Sequence, residues 1–184
     1  MTDPNDLRLF LDEAWQRLCC GVADAQSPAR YPSLATVSPT GAPQVRTVAL
    51  RAANRLAGTV EVQTDTQSSK MAALHANPLV ELHVWEPETR VQTRLSARAE
   101  ILTGETTRAR WEAVPAPSRL SYGTRPAPGT PIGHVYDYEK PPDPSRFAVI
   151  VCHLTAIDLV HLGDRHRRAR YLSEDGWAGT WLAP

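Results

Sequence analysis

Arg90-Val91-Gln92-Thr93-Arg94-Leu95-Ser96-Ala97-Arg98-Ala99-Glu100-Ile101 alternates apolar and polar residues along its whole length. Val91, Thr93, Leu95, Ala97, Ala99 and Ile101 fall on one face, and Arg90, Gln92, Arg94, Ser96, Arg98 and Glu100 on the other, as the two-residue period of a strand requires. The pattern predicts a long strand buried on one side, with Gln92 on a polar face that is either solvated or ligand-facing. Upstream, Leu79 to Trp85 repeats the pattern, with Val80, Leu82 and Val84 opposed to Glu81, His83 and Trp85. Tyr31 to Ser38 and Gln44 to Ala52 read as strands joined in a hairpin by Pro39-Thr40-Gly41-Ala42-Pro43. A further strand spans Ala57 to Gln63. Downstream, Phe147 to Leu154, Ala156 to Leu162, Arg170 to Ser173 and Trp177 to Leu182 read as strands. A helix opens the chain, with Asp3 as cap, Pro4 in its first turn and an apolar stripe of Leu7, Phe10, Leu11, Ala14, Trp15 and Leu18. Gly104 to Trp111 is a candidate short helix. The chain therefore reads as one mainly antiparallel β domain over residues 1–184, α+β in class with peripheral helices, and favours a barrel over a doubly wound sheet.

Two segments carry a candidate ligand site: Arg46-Thr47-Val48-Ala49-Leu50-Arg51, and Thr64-Asp65-Thr66-Gln67-Ser68-Ser69-Lys70. The second follows a strand and precedes a helix, Met71 to His75, that must end near Asn77-Pro78 because proline disfavours helical geometry in the residue before it. Amides at a helix start, the positive end of its dipole, several hydroxyls and one ammonium suit a phosphate monoester dianion. Arg46 on the neighbouring strand would complete such a site. The same spacing also fits an ordinary capped helix with a surface lysine.

Composition excludes several classes. Of 184 residues, 42% are hydrophobic and 22% charged, enough for a core that needs no metal or disulfide. Twenty basic residues balance twenty acidic ones, so no global field favours nucleic acid or an anionic membrane. Cys19, Cys20 and Cys152 cannot all pair and lack zinc-site spacing, which fits a reducing, cytoplasmic setting. The six histidines likewise show no metal spacing and no pairing with a serine or cysteine. Half of the sixteen prolines fall between Pro115 and Pro144. That Pro-rich loop, at about 114–145, carries Arg119, Tyr122, Arg125, His134, Tyr136 and Tyr138. It reads as a loop that covers a site or wraps a neighbouring subunit, or else as a mobile surface loop.

The ordered set formed by Arg46 to Arg51, Gln63 to Lys70, Asn77-Pro78, Trp85, the Arg90-Val91-Gln92 strand and Gly163 to Tyr171, closing in Leu182-Ala183-Pro184, resembles the pyridoxamine 5'-phosphate oxidase family of FMN-binding split β-barrels. The likeness spans nearly the whole chain. The loop Ser121 to Gly129 is similar to that of an oxidase-like branch whose substrates are mostly unsettled. The resemblance implies that Arg46, Ser69 and Lys70 hold the FMN phosphate. It also implies that Thr47, Val48, Ala49 and Leu50, with Arg51 closing the motif, flank the isoalloxazine ring together with Gln63 and Thr64. Gln92 matches a glutamine that reaches the ring from the other subunit, and Arg170 a C-terminal arginine near the flavin. A homodimer with FMN sites at its interface and a small-molecule redox substrate follow from the likeness. The positions at which the family's oxidase proper clamps a substrate phosphate read here Trp111, Pro115 and Ser118 or Arg119, so the expectation is an oxidoreductase that does not act on vitamin B6 phosphates. Proline offers neither charge nor a donor for such a clamp. The alternative is a non-enzymatic flavin- or haem-binding or sensing protein on the same barrel, and related split barrels use deazaflavin in place of FMN.

Overall fold

Asp6 caps the first helix in the computed structural model, which describes residues 5–184. Its carboxylate accepts from the Arg8 and Leu9 amides at 2.8 and 3.0 Å, and α1 runs Leu7–Ala23. Asp3 and Pro4 lie outside the described residues, and the cap falls to Asp6 because its side chain reaches two of the amides that the first turn leaves unpaired. The expected stripe is buried: Phe10, Leu11, Ala14, Trp15 and Leu18 all face the core.

The strands are β1 (Ser33–Val37), β2 (Pro43–Thr47), β3 (Leu50–Asn54) and β4 (Thr59–Asp65). After α2 (Ser69–Ala76) come β5 (Leu79–Glu86) and β6 (Val91–Thr103). Two short helices follow, α3 (Arg108–Ala113) behind a 3₁₀ turn at Gly104–Thr107, and α4 (Ala116–Arg119). The chain ends in β7 (Phe147–His161), β8 (Arg167–Leu172) and β9 (Thr180–Leu182). All pairings are antiparallel, in the order β2-β1-β5-β6-β7-β4-β3, with β8 added to β7 and β9 to β8. The first and last strands of that path are consecutive in sequence and separated only by Val48 and Ala49. The sheet therefore curls until its edges meet in one stretch of chain, which is a split β-barrel.

The last two strands start elsewhere than expected, at Arg167 and Thr180, and the division into strands changes at two points. Gln44 to Ala52 is not one strand: it breaks at Val48, whose amide turns to the Pro32 carbonyl at 3.0 Å while the two halves pair with opposite edges. The two strands expected on either side of Thr155 are one strand, β7. Ser96 of β6 pairs with Ala156 and Ala97 with Leu154, leaving Thr155 as a bulge. On β6 the inward row Val91, Thr93, Leu95 and Ala97 is buried, but Ala99 and Ile101 beyond the bulge are only half-buried.

The main core joins α1 to the barrel interior through Leu34, Leu50, Val60, Val62, Leu82, Leu95, Ile157 and Tyr171. A smaller core of Val114, Tyr122, Phe147, Val149 and Val151, with Trp111 packed on it, seats the root of the Pro-rich segment against β7. That segment is therefore not one free excursion. Tyr122 and Gly123 are buried, Arg125 and Glu139 exchange backbone hydrogen bonds of 2.9 and 2.8 Å, and only residues 128–140 are exposed throughout. Among the described residues no helix is long and apolar enough to cross a membrane.

Leu82 is fully enclosed in the barrel and Leu56 fully exposed on a turn. Leu82→Ala should cost about 2–5 kcal/mol of unfolding free energy in urea titrations, whereas Leu56→Ala should stay within about 0.5 kcal/mol. Equal losses at the two sites would contradict this core.

Candidate phosphate and flavin site

Arg46 lies opposite Leu34 on β1, which lies opposite Leu82 on β5, so its side chain leaves the strand on the inward-facing row. It bends toward the barrel end, where its guanidinium donates to the Leu34 carbonyl at 3.2 Å, Thr36 Oγ1 at 2.6 Å and Gln44 Oε1 at 3.1 Å. From the adjoining β4–α2 turn, Lys70 Nζ donates to Thr64 Oγ1 at 2.9 Å. Ser68 occupies the N-cap position of α2, yet its hydroxyl makes no cap bond and lies 3.0 Å from Thr64 Oγ1 instead. Ser69 opens the helix and is exposed.

The charges decide what this corner can hold. Burial pushes the Lys70 ammonium below its ordinary pKa, the positive Arg46 pushes it further, and Asp65 opposes both. Burial also lowers Arg46. Two partly desolvated cations stand near enough to repel each other, one on the Thr36 hydroxyl and the other on the Thr64 hydroxyl at a helix start. A dianion placed there would be attracted by both and would relieve their mutual repulsion.

The neighbouring residues line a wall beside this corner. Thr47 is exposed, Ala49 half-buried and Val48 and Leu50 buried. Leu50 is wholly enclosed, and its carbonyl accepts from Arg30 Nη1 at 3.0 Å, so it backs the wall from inside. Arg51 on β3 and Gln63 on β4 meet over the Tyr122 hydroxyl, which donates to Gln63 Oε1 at 3.2 Å and stands within hydrogen-bonding reach of Arg51. Burial raises the Tyr122 hydroxyl above its ordinary pKa, with the Arg51 charge opposing, so it acts as a neutral donor. The kink and the turn thus gather ten of the expected residues along one edge: Arg46, Thr47, Val48, Ala49, Leu50, Arg51, Gln63, Thr64, Ser69 and Lys70.

Gln92 and Arg170 do not join them within one protomer. Gln92 sits on the outer row of β6, 3.4 Å from His83 Nε2. Its strand is three steps from β2 through β5 and β1, and three from β3 through β7 and β4, so it lies across the barrel from Arg46. Arg170 is exposed on β8. On the same strand Arg168 forks onto the buried Asp158 at 3.0 and 3.2 Å beside Arg94 at 2.9 Å, and Arg167 lies over the Phe10 ring.

Asp65 has a role that the sequence pattern does not announce. Only 5% exposed, it accepts from the Gln67 amide at 2.7 Å, the Gly123 amide at 2.8 Å, and Arg146 Nε and Nη2 at 3.0 and 2.6 Å. An Asx turn to Gln67 was readable from the local pattern. The bonds to Gly123 and Arg146 span 58 and 81 residues, and no local signal announces them. Thiol chemistry has no place here: Cys19 and Cys20 are on the exposed side of α1, and burial pushes the Cys152 thiol up to about 12.

The family model described as "Pyridoxamine 5'-phosphate oxidase, FMN-binding domain" matches residues 12–103, half of the 184-residue chain. Its span includes Arg46 to Arg51, the β4–α2 turn and Gln92. Among curated proteins, pyridoxine/pyridoxamine 5'-phosphate oxidase 2 of Arabidopsis thaliana is 29% identical over 128 residues, 64% of this chain and 64% of that protein. The chain thus spans less than two thirds of that relative's length. A pyridoxamine 5'-phosphate oxidase-related, FMN-binding protein of Nostoc punctiforme superposes with a TM-score of 0.77 at 24% identity, covering 100% of both chains. PhzG of Burkholderia lata, solved with tetrahydrophenazine-1-carboxylic acid, superposes with a TM-score of 0.72 at 20% identity, over 99% of this chain and 95% of that one. These two establish the shared fold, and with the family model, whose matched span contains both cofactor-motif segments, they show that the chain belongs to the pyridoxamine 5'-phosphate oxidase family of FMN-binding domains.

Proposed function

We propose that the protein is an FMN-dependent oxidoreductase acting on a small molecule other than a vitamin B6 phosphate, and that it works as a homodimer with FMN at the subunit interface. The observation that carries this reading is a pair of mutually repelling cations at one end of the barrel, Arg46 held by Thr36 and Gln44, and Lys70 set on the Thr64 hydroxyl beside Ser68 at the start of α2. That donor set fits the FMN phosphate. FMN, when bound, supplies hydride-accepting and hydride-donating chemistry.

The chain's own residues bind and orient. Arg46 and Lys70 neutralise the phosphate, and Ser69 adds a hydroxyl at the helix start. The backbone of Thr47 to Ala49, backed by the enclosed Leu50, and the side chains of Gln63 and Thr64 present donors and acceptors to the ring. Arg51, steadied by Tyr122, keeps a fixed positive charge beside them. No side chain here is set up as a nucleophile.

The residues that stand in place of a B6-phosphate clamp are engaged elsewhere. Arg119 donates to the Val114 and Glu112 carbonyls, both at 2.9 Å, and lies over the Trp111 ring at 5.2 Å. Trp111 packs on Phe147 at 5.3 Å, and Pro115 precedes α4 without a donor to offer. The dimer is supported by the placement of Gln92: across the barrel from Arg46, it can touch a flavin only if that flavin belongs to a two-fold mate. The same outer face shows Leu79 and Trp85, 57% and 41% exposed. Three free thiols suit a reducing, cytoplasmic setting.

Purified protein should be yellow and should bind FMN more tightly than riboflavin, which lacks the phosphate. Losing one charged partner of that phosphate removes about 1.5–3 kcal/mol, so Lys70→Ala should weaken FMN by roughly tenfold to hundredfold and leave riboflavin nearly unchanged. Colourless protein that takes up no FMN, or a Lys70→Ala variant with wild-type affinity, would overturn the reading. Pyridoxamine 5'-phosphate should give no turnover.

The pH dependence has a defined sign. FMN affinity should be highest between the second phosphate ionisation, about pH 6, and the lowered Lys70 pKa, and should fall as Lys70 loses its proton. Stability of the ligand-free protein should move the other way. With the folded pKa below the ordinary 10.5, the unfolded chain holds more protons in that interval, so stability rises with pH across it. Titrations of wild type against Lys70→Met should show both limbs only in the wild type.

A further inference from the structure

Resting on the reading that the FMN phosphate occupies the Arg46–Lys70 corner, we propose that Asp65 is a positioning residue that couples this corner to the seating of residues 121–143. Phosphate occupancy and docking of Tyr122 onto Gln63 and Arg51 then stabilise one another.

Asp65 follows Thr64, the residue that receives the Lys70 ammonium, and its two oxygens divide their work. Oδ1 holds the phosphate turn through the Gln67 amide and takes the Arg146 fork. Oδ2 receives the Gly123 amide. The Arg146 carbonyl in turn accepts from the Thr66 amide at 2.8 Å, so the turn is fastened from both sides. Gly123 sits at φ +127°, and a Cβ there would collide with the Pro141 carbonyl oxygen. Only glycine delivers its amide to Asp65 in that position. Tyr122, one residue earlier, is 4% exposed, and its carbonyl accepts from the Asp143 amide at 2.9 Å, closing the base of the segment.

The coupling has a definite sign. A dianion beside Lys70 takes over as that lysine's counter-charge and raises the cost of the buried Asp65 carboxylate. The hydrogen bonds from Gly123 and Arg146 then matter more, because a charged group in a low dielectric depends on its remaining donors. Linkage makes the effect reciprocal: the factor by which phosphate tightens the segment is the factor by which a seated segment tightens phosphate.

Hydrogen exchange on the full chain, with FMN and with riboflavin as probes, tests this together with flavin titrations of Gly123→Ala and Tyr122→Phe. FMN should slow exchange at the amides of Gly123, Arg125 and Glu139 by at least about fivefold, and riboflavin should not. Gly123→Ala, far in sequence from the phosphate turn, should lower the ratio of FMN to riboflavin affinity by the same factor. Tyr122→Phe removes the hydroxyl that reaches Gln63 and Arg51 without changing any charge near the phosphate, and should lower the ratio too if the alanine variant does not fold. Wild-type protein that binds FMN without slowing exchange in this segment overturns the coupling alone, as does a folded variant that keeps the wild-type ratio. Wild-type protein that binds no FMN overturns the functional reading beneath it.

Discussion

One stretch of chain closes the barrel. Between β2 and β3 only Val48 and Ala49 intervene, yet β2 pairs at one end of the sheet and β3 at the other. Backbone hydrogen bonding on both sides of so short a crossing leaves the sheet no choice but to curl. Val48 must turn its amide to Pro32, Leu50 must drop into the core, and Arg46 and Arg51 are left on either side of the kink. The candidate site is a product of closure.

The electrostatics follow from the same geometry. The inward row of a barrel strand suits an apolar side chain, and Arg46 leaves from that row. Its guanidinium is satisfied by bending to the rim, where Thr36, Gln44 and the Leu34 carbonyl meet it and where its charge is felt by Lys70. Holding two cations together costs stability unless an anion joins them. Asp65 supplies part of that balance, but its carboxylate is largely committed to Arg146 and Gly123. The site therefore retains a positive bias in a chain whose overall charge is zero.

The smaller core explains how a proline-rich segment keeps a defined place. Tyr122, Phe147 and Trp111 pack edge to face with ring centroids 4.9–6.1 Å apart, which anchors the segment's root while its tip remains exposed. From that root the buried Tyr122 reaches the wall formed by Arg51 and Gln63.

Local periodicity made most of the fold legible. Alternation located β5 and β6, the apolar stripe located α1, and the strand, hydroxyl-rich turn and lysine before Met71 located the phosphate corner, because each depends on neighbours within a few residues. The break at Val48 and the bulge at Thr155 were not legible: both residues suit a strand, and only pairing to distant partners bends one and loops out the other. Gln92 was assigned to the flavin through family likeness, and its position across the barrel is a matter of sheet order that no strand pattern records. The sequence by itself determined which segments are strands and which residue types could grip a phosphate, since period and chemistry are local. Tertiary structure alone decided that the Arg46 charge reaches Lys70 and that Asp65 ties Gly123 and Arg146 to the turn, since both arise only once closure has brought together residues separated by tens of positions.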